Sequence, residues 1–409
     1  MSEHTPMAKQ LFTFGMFRSG TTLLARLLDT HEDIVCAADP YRPFYNALRD
    51  AVAEDIGVET DPYDPLGDYF AEEAQVALFD AVQDATLDRP FERDRTELLS
   101  QLVDRAQGHA QFIADSLTEA HVSGETFADI HADLLAEVPE QYGTGEERWI
   151  GTKDTWATEF VPALRRQYPD AKFLLMVRDP RAVCASKYAW ETMYPWLFLA
   201  RQWRKIAMLT HRYTALADHN DAHLVRYEDL VQHPERTVEE ICDFLNVPVD
   251  EAVLNPANFT DGRGKQWLQN TSHDGEEQKA EFNTDSVDKW RQTLDETVVE
   301  YVERLCFGEM SLLGYEPVHA DGLGYPDEMV LSPPTEPFED LAAWIKPYYA
   351  DRTDTDVVTQ MSVETTRHRL LACSDDVRDS VADSVVRSHF IDEQLYDACR
   401  AALPSQSDR

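Results

Sequence analysis

The sequence predicts an α/β fold, a doubly wound parallel sheet flanked by helices, and three observations carry that prediction. Residues 11–31, LFTFGMFRSGTTLLARLLDTH, run from a short apolar strand through a loop holding Gly15 and Gly20 into a helix marked by leucines at 23, 24, 27 and 28. Residues 173–177, FLLMV, are continuously apolar, as a parallel strand buried on both faces must be. Strand-like and helix-like stretches then alternate along much of the chain, with residues 12–15, 174–177 and 223–226 as the most secure strands. In such sheets ligands sit beyond the carboxyl ends of the strands.

Taken in order, residues 1–10 are a polar lead-in to the first strand, loop and helix. IVCAA at 34–38 reads as a second strand that turns at Asp39-Pro40, because a residue before proline is pushed toward extended geometry. Residues 54–68 read as a loop. From about 69 to 138 the patterns are helical, a long insertion suited to capping a binding site; its His109, His121 and His131 lack metal-ligand spacing and read as surface or packing residues. RWIGTKDT gives a strand ending at Lys153, followed by a helix to about Arg166. Pro180, after Arg178-Asp179, suits the first turn of a helix. A helix over 196–217, a strand and turn in AHLVRYEDL, a short helix before Pro248, an ordered loop over 255–285 and a helical stretch over 288–315 follow. PPTEPF marks a break, so residues 1–330 read as the α/β domain and 331–409 as a C-terminal helical extension. Val377, Val381, Val385, Phe390, Leu395, Ala398 and Leu403 fall near one helical face there, as an appended lobe or an oligomer contact, with a homodimer the simplest form.

Composition narrows the setting. The 409 residues are 43% hydrophobic, enough for a real core, and carry 76 acidic against 37 basic residues, a formal net charge of −39. Nine of those basic residues are lysine and 28 arginine. The acidic excess is spread along the chain instead of gathered in a tail, which suggests a surface adapted to high salt, a halophilic cytoplasm. Such a field disfavours nucleic acid and anionic membrane as partners. Cysteines 36, 184, 242, 306, 373 and 399 are widely spaced and read as reduced thiols, neither a disulfide frame nor a zinc site. With no signal peptide and no apolar run near the roughly 18 residues a span requires, a soluble cytoplasmic protein without a membrane span is expected.

Strand, glycine loop and helix aim backbone N–H groups and a helix dipole at a phosphate. The spacing Gly15 to Gly20, then Thr21-Thr22, is that of G-x-x-x-x-G-K-[ST], which makes the sheet P-loop-like, but Thr21 stands where the lysine for nucleoside triphosphates belongs. With Arg18 inside the loop, a phosphate ligand other than ATP or GTP is indicated.

The same motifs resemble the sulfotransferases that use 3′-phosphoadenosine 5′-phosphosulfate (PAPS), and the protein-tyrosine branch most closely. RSGTT, TKDT, DAKFLLMVRDPR, RYEDLVQHPE and SVDKWRQTL with LLGYEP appear in that family's order, from about residue 11 to 317. The resemblance implies PAPS as co-substrate, with no metal expected, and a hydroxyl-bearing acceptor. It places the 5′-phosphosulfate on Arg18, Ser19, Gly20, Thr21 and Thr22. Arg178, whose planar fork suits a phosphate, and Ser186, eight residues on, take the 3′-phosphate. Tyr227 matches a tyrosine near that phosphate, and Lys289 a lysine near the 5′ end. Lys153 would stabilise charge on the bridging oxygen as the sulfuryl group leaves. Ser272, in WLQNTSHDG, would touch the leaving phosphate. Asp39 stands where the branch has a glutamate base, one carbon shorter, and can accept the acceptor's hydroxyl proton; His31 and His273 are the alternatives. The branch's second 3′-phosphate arginine falls on Trp190, leaving Lys187 or Arg263 as substitutes.

Each assignment has a plainer counterpart: a surface ion pair of Arg178 with Asp179, an exposed strand-end lysine at 153, a turn-capping Asp39. At the level of function the rivals are a P-loop-like small-molecule kinase and a sulfotransferase-like binding subunit without activity. The acceptor, whether glycan, glycolipid, phenol or peptide, is not legible in the sequence.

Overall fold

The computed structural model describes residues 8–60, 73–186, 196–267, 281–318 and 354–403. Strand β1 (Lys9–Gly15) leads into helix α1 (Thr21–Thr30), β2 (Ile34–Ala38) and α2 (Arg42–Ile56). The insertion supplies α3 (Glu73–Asp84), α4 (Arg95–Gln107), α5 (Gln111–Ser116) and α6 (Phe127–Tyr142). Then come β3 (Trp149–Thr155), α7 (Val161–Gln167), β4 (Lys172–Val177), α8 (Pro180–Cys184) and α9 (Trp196–His211). After β5 (Ala222–Arg226), α10 (Tyr227–Gln232) and α11 (Pro234–Leu245), the remaining elements are helical: α12 (Asp285–Asp288), α13 (Trp290–Thr293), α14 (Glu296–Leu305), α15 (Phe307–Leu312), α16 (Asp354–Ala372), α17 (Asp375–Arg378), α18 (Asp383–Phe390) and α19 (Glu393–Ala401).

The five strands among the described residues pair in parallel, in the order β2-β3-β1-β4-β5. The chain order jumps from one side of β1 to the other, the doubly wound α/β arrangement expected. Central position explains the apolar runs: Leu11, Phe12 and Phe14 of β1 and Phe173 to Met176 of β4 are fully buried. Gly15 closes β1 where the strands leave no room for a side chain, since a Cβ there would lie 2.6 Å from the Met176 carbonyl oxygen and 2.8 Å from Thr21 Cγ2. Helix α6 covers the β1 face with His131, fully buried against Phe12 and Phe44, its Nδ1 2.8 Å from the Tyr168 hydroxyl. That is the packing role expected of it.

The chain divides into two compact units. One comprises Met1–Leu66, Leu78–Val177 and Ala217–Thr284 and contains the sheet; the other comprises Gly67–Ala77, Arg178–Leu216 and Asp285–Arg409. Within the second, α16 is held to α9 by Glu364, buried and bound to Arg201 and Arg204, so the described tail shares a core with α9 instead of standing as a separate lobe. The one-face reading of 377–403 is corrected. Ile391, at φ 69°, breaks that stretch into α18 and α19; Phe390 and Leu395 are buried as read, but Val377 and Val385 are exposed and Val386, Tyr396 and Cys399 are buried in their place. Helix α9 likewise ends at His211, short of 217, and passes into a π-helical turn over Arg212–Leu216.

Candidate active site

The loop between β1 and α1 is shaped by two left-handed residues, Arg18 (φ 66°) and Gly20 (φ 88°). At Gly20 a side chain is excluded twice, by that φ and by the Tyr227 ring, whose Cδ2 would lie 2.2 Å from a Cβ. Helix α1 begins at Thr21 with no side-chain cap, so its first N–H groups face the loop, the geometry that attracts an anion. Ser19 is fully buried, and its hydroxyl has no hydrogen-bond partner among the described residues. An uncapped helix start, a side-chain-free cradle and a buried donor left over together fit a phosphosulfate or phosphate group. Phe17 stacks on Trp156 just past β3, bracing the loop.

Beside the loop, in the same unit, β3 presents its carboxyl end. Lys153 pairs in register with Thr13 of β1 and Ala38 of β2, so it sits inside the strand; β3 runs two residues past the end expected from the sequence. The exposed-lysine reading fails, because Lys153 is 1% exposed. Leaving β2, Asp39 adopts φ 53°, which folds its carboxylate back over β3. Three consecutive residues then hold three consecutive residues. The Asp39 N–H donates to the Lys153 carbonyl, and Lys153 Nζ donates to Asp39 Oδ2. Thr155 gives its N–H (2.9 Å) and its hydroxyl (2.8 Å) to Asp39 Oδ1, and Tyr41 N–H donates to Asp154 Oδ1 at 2.8 Å. A further cation comes from the insertion: Arg105 on α4 lies 3.0 Å from Asp39 Oδ1.

These charges set one another's protonation. Burial alone would raise the Asp39 pKa, but Lys153 first, then Arg105, hold it well below the usual carboxylate range. Asp154, fully buried and next to the Asp39 charge, is pushed up to about 7. Burial lowers His109 to about 4, with Arg105 and Lys153 adding to the effect against the pull of Asp39. His31 is engaged at both ring nitrogens, Nε2 2.8 Å from the Pro248 carbonyl and Nδ1 accepting from Asp33 N–H at 3.0 Å, so it serves the fold.

The structure thus brings Arg18, Ser19, Gly20, Thr21, Thr22, Lys153, Asp39 and Tyr227 into the sheet unit, with Tyr227 against Gly20. Arg178, Ser186 and Lys289 belong to the second unit. There Arg178 donates to the Ser286 carbonyl at 2.6 Å and accepts, through its own carbonyl, from Trp203 Nε1 at 2.7 Å. Ser186 lies just beyond α8, not within it. Lys289 is exposed at the start of α13, next to Trp290, which is buried with the Arg181 and Arg291 guanidinium groups 4.1 and 4.3 Å from its ring centroid. Asp179 is bound by Arg181 at 2.6 Å. Ser272, His273, Lys187 and Trp190 lie outside the described residues. Sequence reasoning missed Arg105. Its one signal was position, seven residues after Leu98 on a stripe with Leu102 and Ala106, all three buried.

The sequence profile of the sulfotransferase family matches residues 10–251. Over 238 residues the chain is 26% identical to protein-tyrosine sulfotransferase A of Caenorhabditis elegans, covering 56% of this chain and 61% of that protein. It is 28% identical over 226 residues to protein-tyrosine sulfotransferase 1 of Danio rerio, covering 53% and 62%. The chain therefore spans about three fifths of the length of these relatives. Among solved structures, a sulfotransferase domain from the curacin biosynthetic pathway superposes with a TM-score of 0.44 at 17% identity, covering 76% of this chain and 99% of that domain. Among the described residues no helix is long and apolar enough to cross a membrane.

Proposed function

The chain belongs to the sulfotransferase family, and on that premise we propose that it transfers a sulfuryl group from PAPS to a hydroxyl of an acceptor. The observation that carries the reading is the buried Lys153–Asp39 pair at the strand end, beside a loop built for an anion. The donor supplies the activated sulfuryl group. The loop N–H groups and the Ser19, Thr21 and Thr22 hydroxyls would hold its 5′ end. Arg178 and Ser186 take the 3′-phosphate by resemblance, with Arg18, Tyr227, Lys289 and Ser272 in the supporting roles assigned from sequence. Lys153 donates to the oxygen from which the sulfuryl group departs, and Asp39 accepts the acceptor's hydroxyl proton through Oδ2 as the new S–O bond forms. The names of the relatives favour a tyrosyl hydroxyl among the acceptor classes. The dispersed charge of −39 favours work in a salt-rich cytoplasm.

Titration calorimetry with adenosine 3′,5′-bisphosphate in molar KCl, followed by a labelled-sulfate transfer assay, tests the reading. Micromolar binding and transfer to a hydroxyl are expected. Binding without transfer to any acceptor class would leave a binding subunit, and no binding would refute the donor assignment.

A further inference from the structure

We propose that Arg105, carried in by the helical insertion, is a positioning residue of the transfer centre that keeps the Asp39 carboxylate fixed when Lys153 turns from it toward the donor. The inference rests on the sulfuryl-transfer reading and adds a residue to it.

The two cations do not compete for one oxygen. Lys153 donates to Oδ2, whereas Arg105 lies 3.0 Å from Oδ1, which also accepts from Thr155 N–H and Thr155 hydroxyl. Departure of Lys153 therefore vacates Oδ2 alone, the oxygen left to receive the acceptor's proton. Asp39 is 4% exposed, and a carboxylate so buried that loses its cation takes up a proton and can no longer act as a base. Arg105 prevents that. A guanidinium is a much weaker acid than an ammonium and donates hydrogen bonds in a fixed fork, so it can hold the carboxylate without joining the transfer.

Among the described residues, no other charged group beside Asp39 can substitute. The groups that face it are Lys153 and Asp154 from β3, Arg105 from α4 and His109 just beyond α4. Asp154 is neutral when protonated and of the same sign when ionised, and burial keeps His109 neutral at pH 7.

The end of α4 is also pinned, so the contact is built into the fold. Arg26 of α1 donates to the His109 carbonyl at 3.1 Å, tying this end to the helix that starts at the phosphate loop. From the other side, Gln111 N–H and the Tyr142 hydroxyl donate to the Gly262 carbonyl at 3.0 and 3.1 Å. Gly262 sits so close that a Cβ would lie 2.0 Å from the His109 carbonyl oxygen.

The test compares R105Q and R105K with the wild type in kcat, KM, pH profile and bisphosphate affinity. R105Q should lower kcat about 10- to 100-fold while bisphosphate affinity stays within about twofold. Without Arg105 the Asp39 pKa rises, so the acid limb of kcat should move to higher pH. R105K should restore most of kcat and the wild-type profile, which mere loss of packing would not allow. Carboxyl NMR of Asp39, assigned with D39N, reads the same contact without turnover and should show the rise in R105Q. An active wild type with an unmoved limb and an unmoved Asp39 signal in R105Q would overturn the role of Arg105 alone. A wild type that neither binds bisphosphate nor transfers sulfate would overturn the parent reading, and the NMR shift would still decide the contact.

Discussion

Two buried carboxylates, one in each unit, sit between two cations and are held differently. Glu364 on α16 meets Arg201 and Arg204, both from α9, and its oxygens are filled by Arg201 Nε at 2.6 Å and by two Arg204 nitrogens at 2.5 and 3.0 Å. Asp39 meets Lys153 from β3 and Arg105 from α4, two elements distant in sequence, and keeps one oxygen for the lysine alone. Glu364 is held ionised by permanently charged forks that cannot leave. Asp39 is held by one such fork and by a point charge on a flexible stem that can swing away. The difference separates an ion cluster that fastens a tail helix from one that, on the proposed reading, exchanges partners during the transfer.

The comparison can be broken at several points. E364Q removes the countercharge shared by two buried guanidinium groups and should cost about 3–5 kcal/mol in chemical denaturation, with turnover per folded molecule unchanged. A loss of turnover beyond the unfolded fraction would make Glu364 part of the chemistry. K153A should lower kcat about 10²- to 10³-fold, roughly 2.7–4 kcal/mol of transition-state stabilisation, yet destabilise less than E364Q because Arg105 stays on Asp39. K153R should keep the ion pair and the stability without restoring turnover; near-normal kcat in either variant would end the assigned role.

Asp154 yields a pH test. Its folded pKa, about 7, lies above the ordinary carboxylate value, so the folded state binds the extra proton and wild-type stability falls as pH rises between about 4 and about 7. D154N keeps an oxygen for Tyr41 N–H and removes the titration. Its melting-temperature advantage should therefore grow from pH 5 to pH 7 and level off above, toward a gain on the order of 2 kcal/mol. A pH-independent difference would mean that Asp154 does not titrate there. Smallest of all, T155V deletes one donor to Asp39 and leaves the backbone donor in place, for a stability loss of about 1 kcal/mol; no measurable change would show the hydroxyl contact to be replaceable.

How legible each part was in sequence follows from how local its cause is. β1, β4 and the loop were legible because apolar runs and glycine spacing are local signals, and Gly15 and Gly20 prove to be positions where a Cβ has no room. Motif order singled out Lys153 and Asp39 as candidates, but their burial and pairing were not legible, since both depend on the register of Ala38 with Lys153. Arg105 carried no motif, because its partner lies across the sequence and its placement depends on α1 and Gly262 packing against the end of α4. The tail misled because valine periodicity does not reveal a left-handed break such as Ile391.

The interlock of 153–155 with 39–41 also bears on how this site can change through evolution. Substitutions there act one contact at a time, and their effects are graded. A single-residue deletion in β3 acts otherwise, because side chains alternate across a strand. It would carry Asp154 into the place of Lys153, setting an acid against the Asp39 carboxylate and removing the lysine in one event. Homologous chains should therefore vary in length within the insertion and the loops, while the spacing through β3 to Thr155 stays fixed.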